Sequence, residues 1–183
     1  MNINQPGAVA RVLHGERDLP LMGIKVPAEA LRRFWMMLAH YHGQICNFSE
    51  LGRAMDISPN TAQSYIDILS GAFMLRVLPP WHANLKKRQV KAPKVYFRDS
   101  GLLHLLLGVE TMRQLRSLPS YGAAWEGFAL EQVLALTGAE QSFFWGTHAG
   151  AELDLLLIRR GRQYGIEFKM SDASSMTKSL RVA

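Results

Sequence analysis

The stretch AELDLLLIRRGRQYGIEFKM, residues 151–170, decides the architecture of the last third of the chain. Two alternating apolar and polar runs flank Arg160-Gly161, the pattern of two antiparallel strands joined by a tight turn. A hairpin centred between residues 160 and 161 sets Asp154 opposite Glu167 and Glu152 opposite Lys169. The period of two then sorts the side chains: Glu152, Asp154, Glu167 and Lys169 on one face, and Leu153, Leu155, Leu157, Tyr164, Ile166 and Phe168 on the other. Opposed carboxylates repel, so a sheet that pairs them needs a cation or a proton between them. A hard divalent metal, Mg²⁺ or Mn²⁺, answers that need, and Lys169 would then stabilise phosphate charge or orient a metal-bound water. A solvent-facing hairpin with a Glu152–Lys169 surface ion pair answers it as well, and spacing alone leaves both readings open.

Upstream of the hairpin, YGAAWEGFALEQVLALTGA reads as a helix. Glu126 falls in line with Ala129, Leu130, Val133 and Leu134, which turns a carboxylate toward the apolar side, whereas Glu131 and Gln132 belong to the solvated side. An acid in the first turns of a helix also suits the helix dipole, which is the plainer account of Glu126. Gln141 to Trp145 forms a short aromatic strand between this helix and the hairpin, so a third acidic group precedes the carboxylate pair in the order helix, strand, strand, strand.

The first half is organised differently. Leu31, Phe34, Trp35, Leu38 and Ala39 mark one face of a helix from Ala28 to His42, stopped by Gly43. A short helix follows from Ser49, its expected cap, to Met55, and a third begins with Ser58 as cap and Pro59 in the first helical position. Strand-like segments Phe73 to Leu78 and Val95 to Phe97 complete the pattern of a winged helix-turn-helix. Between them lies a basic loop with Lys86, Lys87, Arg88, Lys91 and Lys94, which as a wing would straddle a phosphate backbone and otherwise is a solvated loop. The third helix exposes Asn60, Thr61, Gln63, Ser64 and Asp67 and offers no Lys or Arg to a base edge, which points to sequence-indifferent contact with DNA or to protein docking.

Over 183 residues, 48% hydrophobic and 20% charged side chains describe a globular chain, and 21 Lys and Arg against 15 Asp and Glu give a net charge of +6. That balance permits a polyanionic partner without requiring one. The single cysteine, Cys46, rules out an internal disulfide or a four-cysteine zinc site and suits the cytoplasm. No apolar run is long enough to span a membrane, and His40 and His42, two apart on a helix, diverge and make poor joint metal ligands.

Asp154, then Glu167-Phe168-Lys169 thirteen residues on, with Glu126 in the preceding helix, resembles the PD-(D/E)XK nuclease superfamily. The resemblance implies that Glu126, Asp154 and Glu167 bind Mg²⁺ or Mn²⁺ and that Asp154, Glu167 and Lys169 are catalytic. More widely, ERDLPLMG, FSELGRAMDISPNTAQSYIDILSGAFMLRVLPPW, KAPKVYFRDSGLLHLLLG, WEGFALEQ and IEFKM look like the C-terminal half of bacterial and archaeal AAA-type ATP-binding proteins, in which a winged helix precedes a nuclease-like domain.

No GxxxxGK[ST] loop is present, so no ATP site is expected in this chain. The chain also ends fourteen residues after Lys169, short of the remaining helix and strand of the superfamily core. The expected fold is therefore mixed α/β, a winged helix-turn-helix followed by a truncated α-β-β-β restriction-endonuclease-like core. Residues 1–27 read as a remnant of an ATPase module, 28–99 as the winged helix, 100–120 as a helical linker and 121–183 as the nuclease-like domain. An open sheet edge in such a core would call for a protein partner or a second copy of the chain.

Overall fold

The computed structural model describes residues 27–81, 92–147 and 152–170. Helix α1 (Ala28–His40) buries Leu31, Phe34, Trp35 and Leu38 along one face and ends two residues earlier than its periodicity suggests, because the chain turns at Tyr41 toward Gly43, which takes a φ of +75°. Helix α2 (Phe48–Met55) is capped by Asn47, whose Oδ1 accepts from the backbone N–H groups of Ser49 and Glu50 at 3.1 and 3.2 Å. Ser49, the expected cap, is therefore inside the helix. The start is set back because Phe48 packs against the core and Asn47 is as good a cap as serine. Helix α3 (Pro59–Gly71) begins as its sequence dictates, with Ser58 Oγ accepting from the Thr61 N–H at 3.0 Å and Pro59 in the first turn.

The α2–α3 turn leaves no room at Gly52: a Cβ there would lie 2.7 Å from the Ile57 carbonyl oxygen and 3.2 Å from the Pro59 nitrogen. Strands β1 (Gln44–Ile45), β2 (Leu75–Leu78) and β3 (Lys94–Phe97) form an antiparallel sheet in the order β1-β3-β2, with Val77 opposite Val95. Its helix-facing side joins Phe34, Leu51, Ile66 and Leu69 in the larger of the buried clusters.

Helix α4 (Ser100–Leu106) is capped by Asp99, which accepts from the Leu102 N–H at 2.7 Å, and α5 (Met112–Ser117) carries a Thr111–Gln114 capping box. Helix α6 (Tyr121–Thr137) follows and ends at Gly138 in a left-handed conformation, φ +54°. Strands β4 (Gln141–Gly146), β5 (Glu152–Arg159) and β6 (Arg162–Ile166) make a second antiparallel sheet, β4-β5-β6. The β5–β6 register pairs Leu155 with Ile166 and Arg159 with Arg162, the register that a centre between residues 160 and 161 dictates. Arg160 and Gly161, at φ +51° and +71°, supply the two left-handed residues of a tight hairpin turn.

The strict segregation of faces does not survive along β5. Phe143 pairs with Leu156 but Trp145 pairs with Leu153, so β5 carries an extra residue in this interval and alternation slips there. Leu153 accordingly packs with Trp145 and Leu156, while Leu155 and Leu157 join Leu78, Tyr96, Leu130 and Phe144. Tyr164, expected on the apolar face, is 47% exposed.

The two sheets meet where β2 runs on into Pro79-Pro80-Trp81. The Phe144 N–H donates to the Pro79 carbonyl at 3.0 Å and the Trp81 N–H donates to the Phe144 carbonyl at 2.6 Å. The described residues thus form a mixed α/β structure of six helices and two small antiparallel sheets. Lys86, Lys87, Arg88 and Lys91, the expected wing cations, lie outside the described residues. Among the described residues no helix is long and apolar enough to cross a membrane.

Gly52→Ala is expected to lower stability by about 2 kcal/mol, since the added methyl meets backbone that cannot rotate away. Urea denaturation of the two proteins measures it, and an unchanged midpoint would contradict this account of the turn.

Candidate functional site

Strand β3 is buried on both sides and its period of two sends Val95 and Phe97 into the helical core and Lys94 and Tyr96 toward α6 and the second sheet. Lys94 is 3% exposed. Its Nζ lies 3.3 Å from Glu126 Oε1, is ion-paired with Glu152, and sits 5.6 Å from the centre of the Phe144 ring. Tyr96 donates its hydroxyl proton to the same Glu126 oxygen at 2.6 Å. Lys94, expected on an exposed wing, is thus an internal cation and is not available to a phosphate backbone. The physical reason is that it falls inside a strand whose inward positions face carboxylates.

Asp154 completes the acidic group. Its Oδ2 accepts from the Phe168 N–H at 2.7 Å, which ties the end of the hairpin to the start of β5. Burial first, and the Glu126 charge second, push its carboxyl from an ordinary 3.8 up to about 6, against the pull of the Phe168 N–H and of Lys94. The same surroundings act on their partners. Burial works against the charge on Lys94, yet Glu126, Glu152 and Asp154 together hold its ammonium above the usual lysine range. Burial and then Glu126 drive the Tyr96 phenol far above its ordinary value, so it stays a proton donor.

Glu126 therefore reaches the apolar side of α6 and the neighbourhood of Asp154, as its helical position suggested. Glu167 lies just past β6 and pairs with Lys169 at 3.3 Å, and Glu152 pairs with Lys94. Among the described residues no three His, Cys, Asp or Glu side chains gather in a way that could hold a metal ion. An ammonium group sits between Glu126 and Glu152. The set of donors present therefore does not fit the Mg²⁺ or Mn²⁺ site that the nuclease resemblance implies.

Glu131, assigned to the solvated side of α6, is also inside: its side chain is 12% exposed and takes a two-point contact from Arg76, with Nη2 at 3.0 Å, and another from Arg98 Nε at 3.2 Å. Helical periodicity could not find this, because Arg76 and Arg98 come from β2 and from the residue after β3. A third fastening is His42, 3% exposed, whose Nδ1 accepts from the Phe97 N–H at 3.0 Å and whose ring meets Tyr96 edge-on at 5.4 Å. Burial lowers its pKa to about 4, so the ring is neutral at physiological pH. Gly127 makes space for it, since a Cβ at that position would fall 2.3 Å from His42 Nε2. Lys94 and Tyr96 had a signal in the sequence: in Lys94-Val95-Tyr96-Phe97 the polar and apolar residues alternate as in any strand with two different faces.

The Asp154 shift fixes the sign of a pH effect. The folded state holds this proton more tightly than the unfolded chain does, so stability from this group falls as pH rises from about 4 through about 6. Asp154→Asn keeps an oxygen for the Phe168 N–H and removes the charge. At neutral pH the variant is expected to be more stable than the parent by on the order of 1 kcal/mol, after discounting for partial exposure, and to lose that advantage below about pH 5. Urea midpoints across this pH range test it, and a variant less stable at neutral pH would reverse the sign.

The chain is 47% identical over 168 residues to two uncharacterized proteins, Rv2008c of Mycobacterium tuberculosis and Mb2031c of Mycobacterium bovis. The match takes in 92% of this chain and 38% of each relative, so the chain spans well under half of their length. No solved structure matches. Residues 121–183, which include α6 and the hairpin, match the Domain of unknown function (DUF4143), a domain found in AAA-ATPase-associated proteins. Residues 14–113 match the Domain of unknown function (DUF8612). Because that second match takes in more than half of the 183 residues, and with them β3 and its Lys94, the chain belongs to the DUF8612 family.

Proposed function

We propose that the chain is a nucleic-acid-associated module of a longer AAA-type ATP-binding protein, a winged helix followed by a nuclease-like core, which holds a polyanion without cutting it. The helix pair α2–α3 with its tight turn, and the β2–β3 pair with a basic connection, support the winged-helix reading. The DUF4143 match over residues 121–183 supports the connection to AAA-associated proteins.

The observation that carries the binding reading is electrostatic. The connection from β2 to β3 holds Lys86, Lys87, Arg88 and Lys91, while the carboxylates packed against those strands already have cations of their own: Glu126 and Glu152 share Lys94, and Glu131 takes Arg76 and Arg98. Acidic side chains that are neutralised within the fold do not compete for the basic connection or repel a phosphate backbone there.

A metal-dependent phosphodiesterase using Asp154, Glu167 and Lys169 is the second reading; it requires Mg²⁺ or Mn²⁺ to displace the ammonium, O–H and N–H partners that Glu126, Asp154 and Glu167 hold in this structure. The Phe168 N–H to Asp154 bond favours it, because it keeps the Glu167-Phe168-Lys169 segment beside Asp154.

Fluorescence anisotropy with labelled duplex DNA is expected to show weak binding with little sequence preference. Its logarithmic salt slope should be about −3 to −4 if four cations meet phosphates. Replacing Lys86, Lys87, Arg88 and Lys91 together by glutamine should abolish it, and binding that is unchanged in that variant would refute the assignment. Cleavage of plasmid DNA in Mn²⁺ that disappears in Asp154→Asn would instead establish the second reading.

A further inference from the structure

We propose that Lys94 is the built-in cation of the Glu126–Glu152 carboxylate pair, so that the native chain closes this pair with its own ammonium and excludes a divalent metal ion from it. The inference does not depend on whether nucleic acid binds, because cation binding and DNA binding are read by separate titrations.

Three features carry it. The first is occupancy: Lys94 Nζ lies between Glu126, at 3.3 Å, and Glu152, and the side chain is 4% exposed. A divalent ion placed among these carboxylates would have to share the space with a buried positive charge, which repels it. The second is the commitment of the oxygens. Glu126 Oε1 receives both the Tyr96 hydroxyl at 2.6 Å and the Lys94 ammonium, and Asp154 Oδ2 receives the Phe168 N–H at 2.7 Å. Mg²⁺ and Mn²⁺ require a shell of oxygens turned toward the ion, and these oxygens are turned toward N–H and O–H donors.

The third is the wall of the site. The Phe144 ring stands 5.6 Å from Nζ, a contact that suits an ammonium and gives a divalent ion no ligand. The fold fixes the lysine from outside the acidic element as well. Lys94 comes from β3, which is hydrogen-bonded on both sides by β1 and β2, whereas Glu126 comes from α6 and Glu152 from β5. The ammonium therefore ties the first sheet to α6 and to the second sheet, and its displacement requires those layers to part.

If the ammonium is what satisfies the pair, a neutral side chain in its place leaves a demand for positive charge that a free cation can meet. The test uses the full 183-residue chain and Mn²⁺ alone as the probe, with free ion followed by paramagnetic resonance and with thermal unfolding in EDTA and in rising Mn²⁺. The native chain is expected to show no saturable binding and no Mn²⁺-dependent rise in Tm. Lys94→Gln is expected to unfold at lower temperature in EDTA, to take up one Mn²⁺ per chain, and to regain stability as Mn²⁺ rises. Adding Glu126→Gln to it should weaken that binding at least about tenfold, because a carboxylate is lost from the ion's shell.

Saturable Mn²⁺ binding by the native chain that Asp154→Asn removes would overturn the proposal, and so would a Lys94→Gln protein that is as stable as the parent and binds no Mn²⁺. Should Lys94→Gln fail to fold with or without Mn²⁺, the native titration decides alone: saturation there refutes the proposal and its absence supports it.

Discussion

The buried ammonium of Lys94 is the constraint on which the rest of the arrangement depends. A lysine that is 3% exposed is tolerated only with close counter-charges, and Glu126 and Glu152 supply them from a helix and a strand that are separated from it in sequence. Removing the carboxylates would leave the buried ammonium stranded in a region of low dielectric, which for a buried charge typically costs about 3–5 kcal/mol. The cluster therefore constrains how β3, α6 and β5 can sit with respect to one another. Apolar packing of Leu78, Leu130, Phe144 and Leu155 supplies the driving force between the same elements, but it does not specify the register in which they meet.

Helix α6 is where the two sheets are joined. Its inner residues meet the first sheet and the turn after α1 in three ways: Glu126 pairs with Lys94 and Tyr96, Glu131 pairs with Arg76 and Arg98, and Gly127 leaves the space that the His42 ring fills. The three residues lie along little more than one turn and a half of helix, so they act together on the same stretch of β2 and β3. The continuation of β2 through Pro79-Pro80-Trp81 onto Phe144 adds backbone hydrogen bonds between the sheets. The acidic side chains to which the nuclease resemblance points lie where these elements meet. Their polar groups already have partners inside the fold.

Local signals in the sequence decide the structure where one element suffices to explain them. Ser58 and Pro59 start a helix because their side chains act within one turn, and Arg160-Gly161 sets the hairpin because the turn and its two strands are contiguous. Local signals do not decide the outcome where a distant element intervenes. Asn47 took the cap from Ser49 because Phe48 is drawn to a core built by other helices. The extra residue in β5 against β4 broke an alternation that looked uniform, since the partner strand and not β5 itself decides where a bulge falls.

Of the candidate site, the sequence by itself determined the inward carboxylate at Glu126, the register of the β5–β6 hairpin from Leu155–Ile166 to its turn, and the family resemblance that Asp154 and the Glu167 segment carry. Each follows from a period of 3.6 or 2 along a single element or a single hairpin. Only the tertiary structure decided that the cation beside those carboxylates is Lys94, that Glu131 is inside, and that Glu152 pairs with a cation of the first sheet. The reason is physical: charge pairing depends on distance and burial, and Lys94 acquires both only when separate layers pack together and bring the carboxylates of Glu126 and Glu152 to its ammonium.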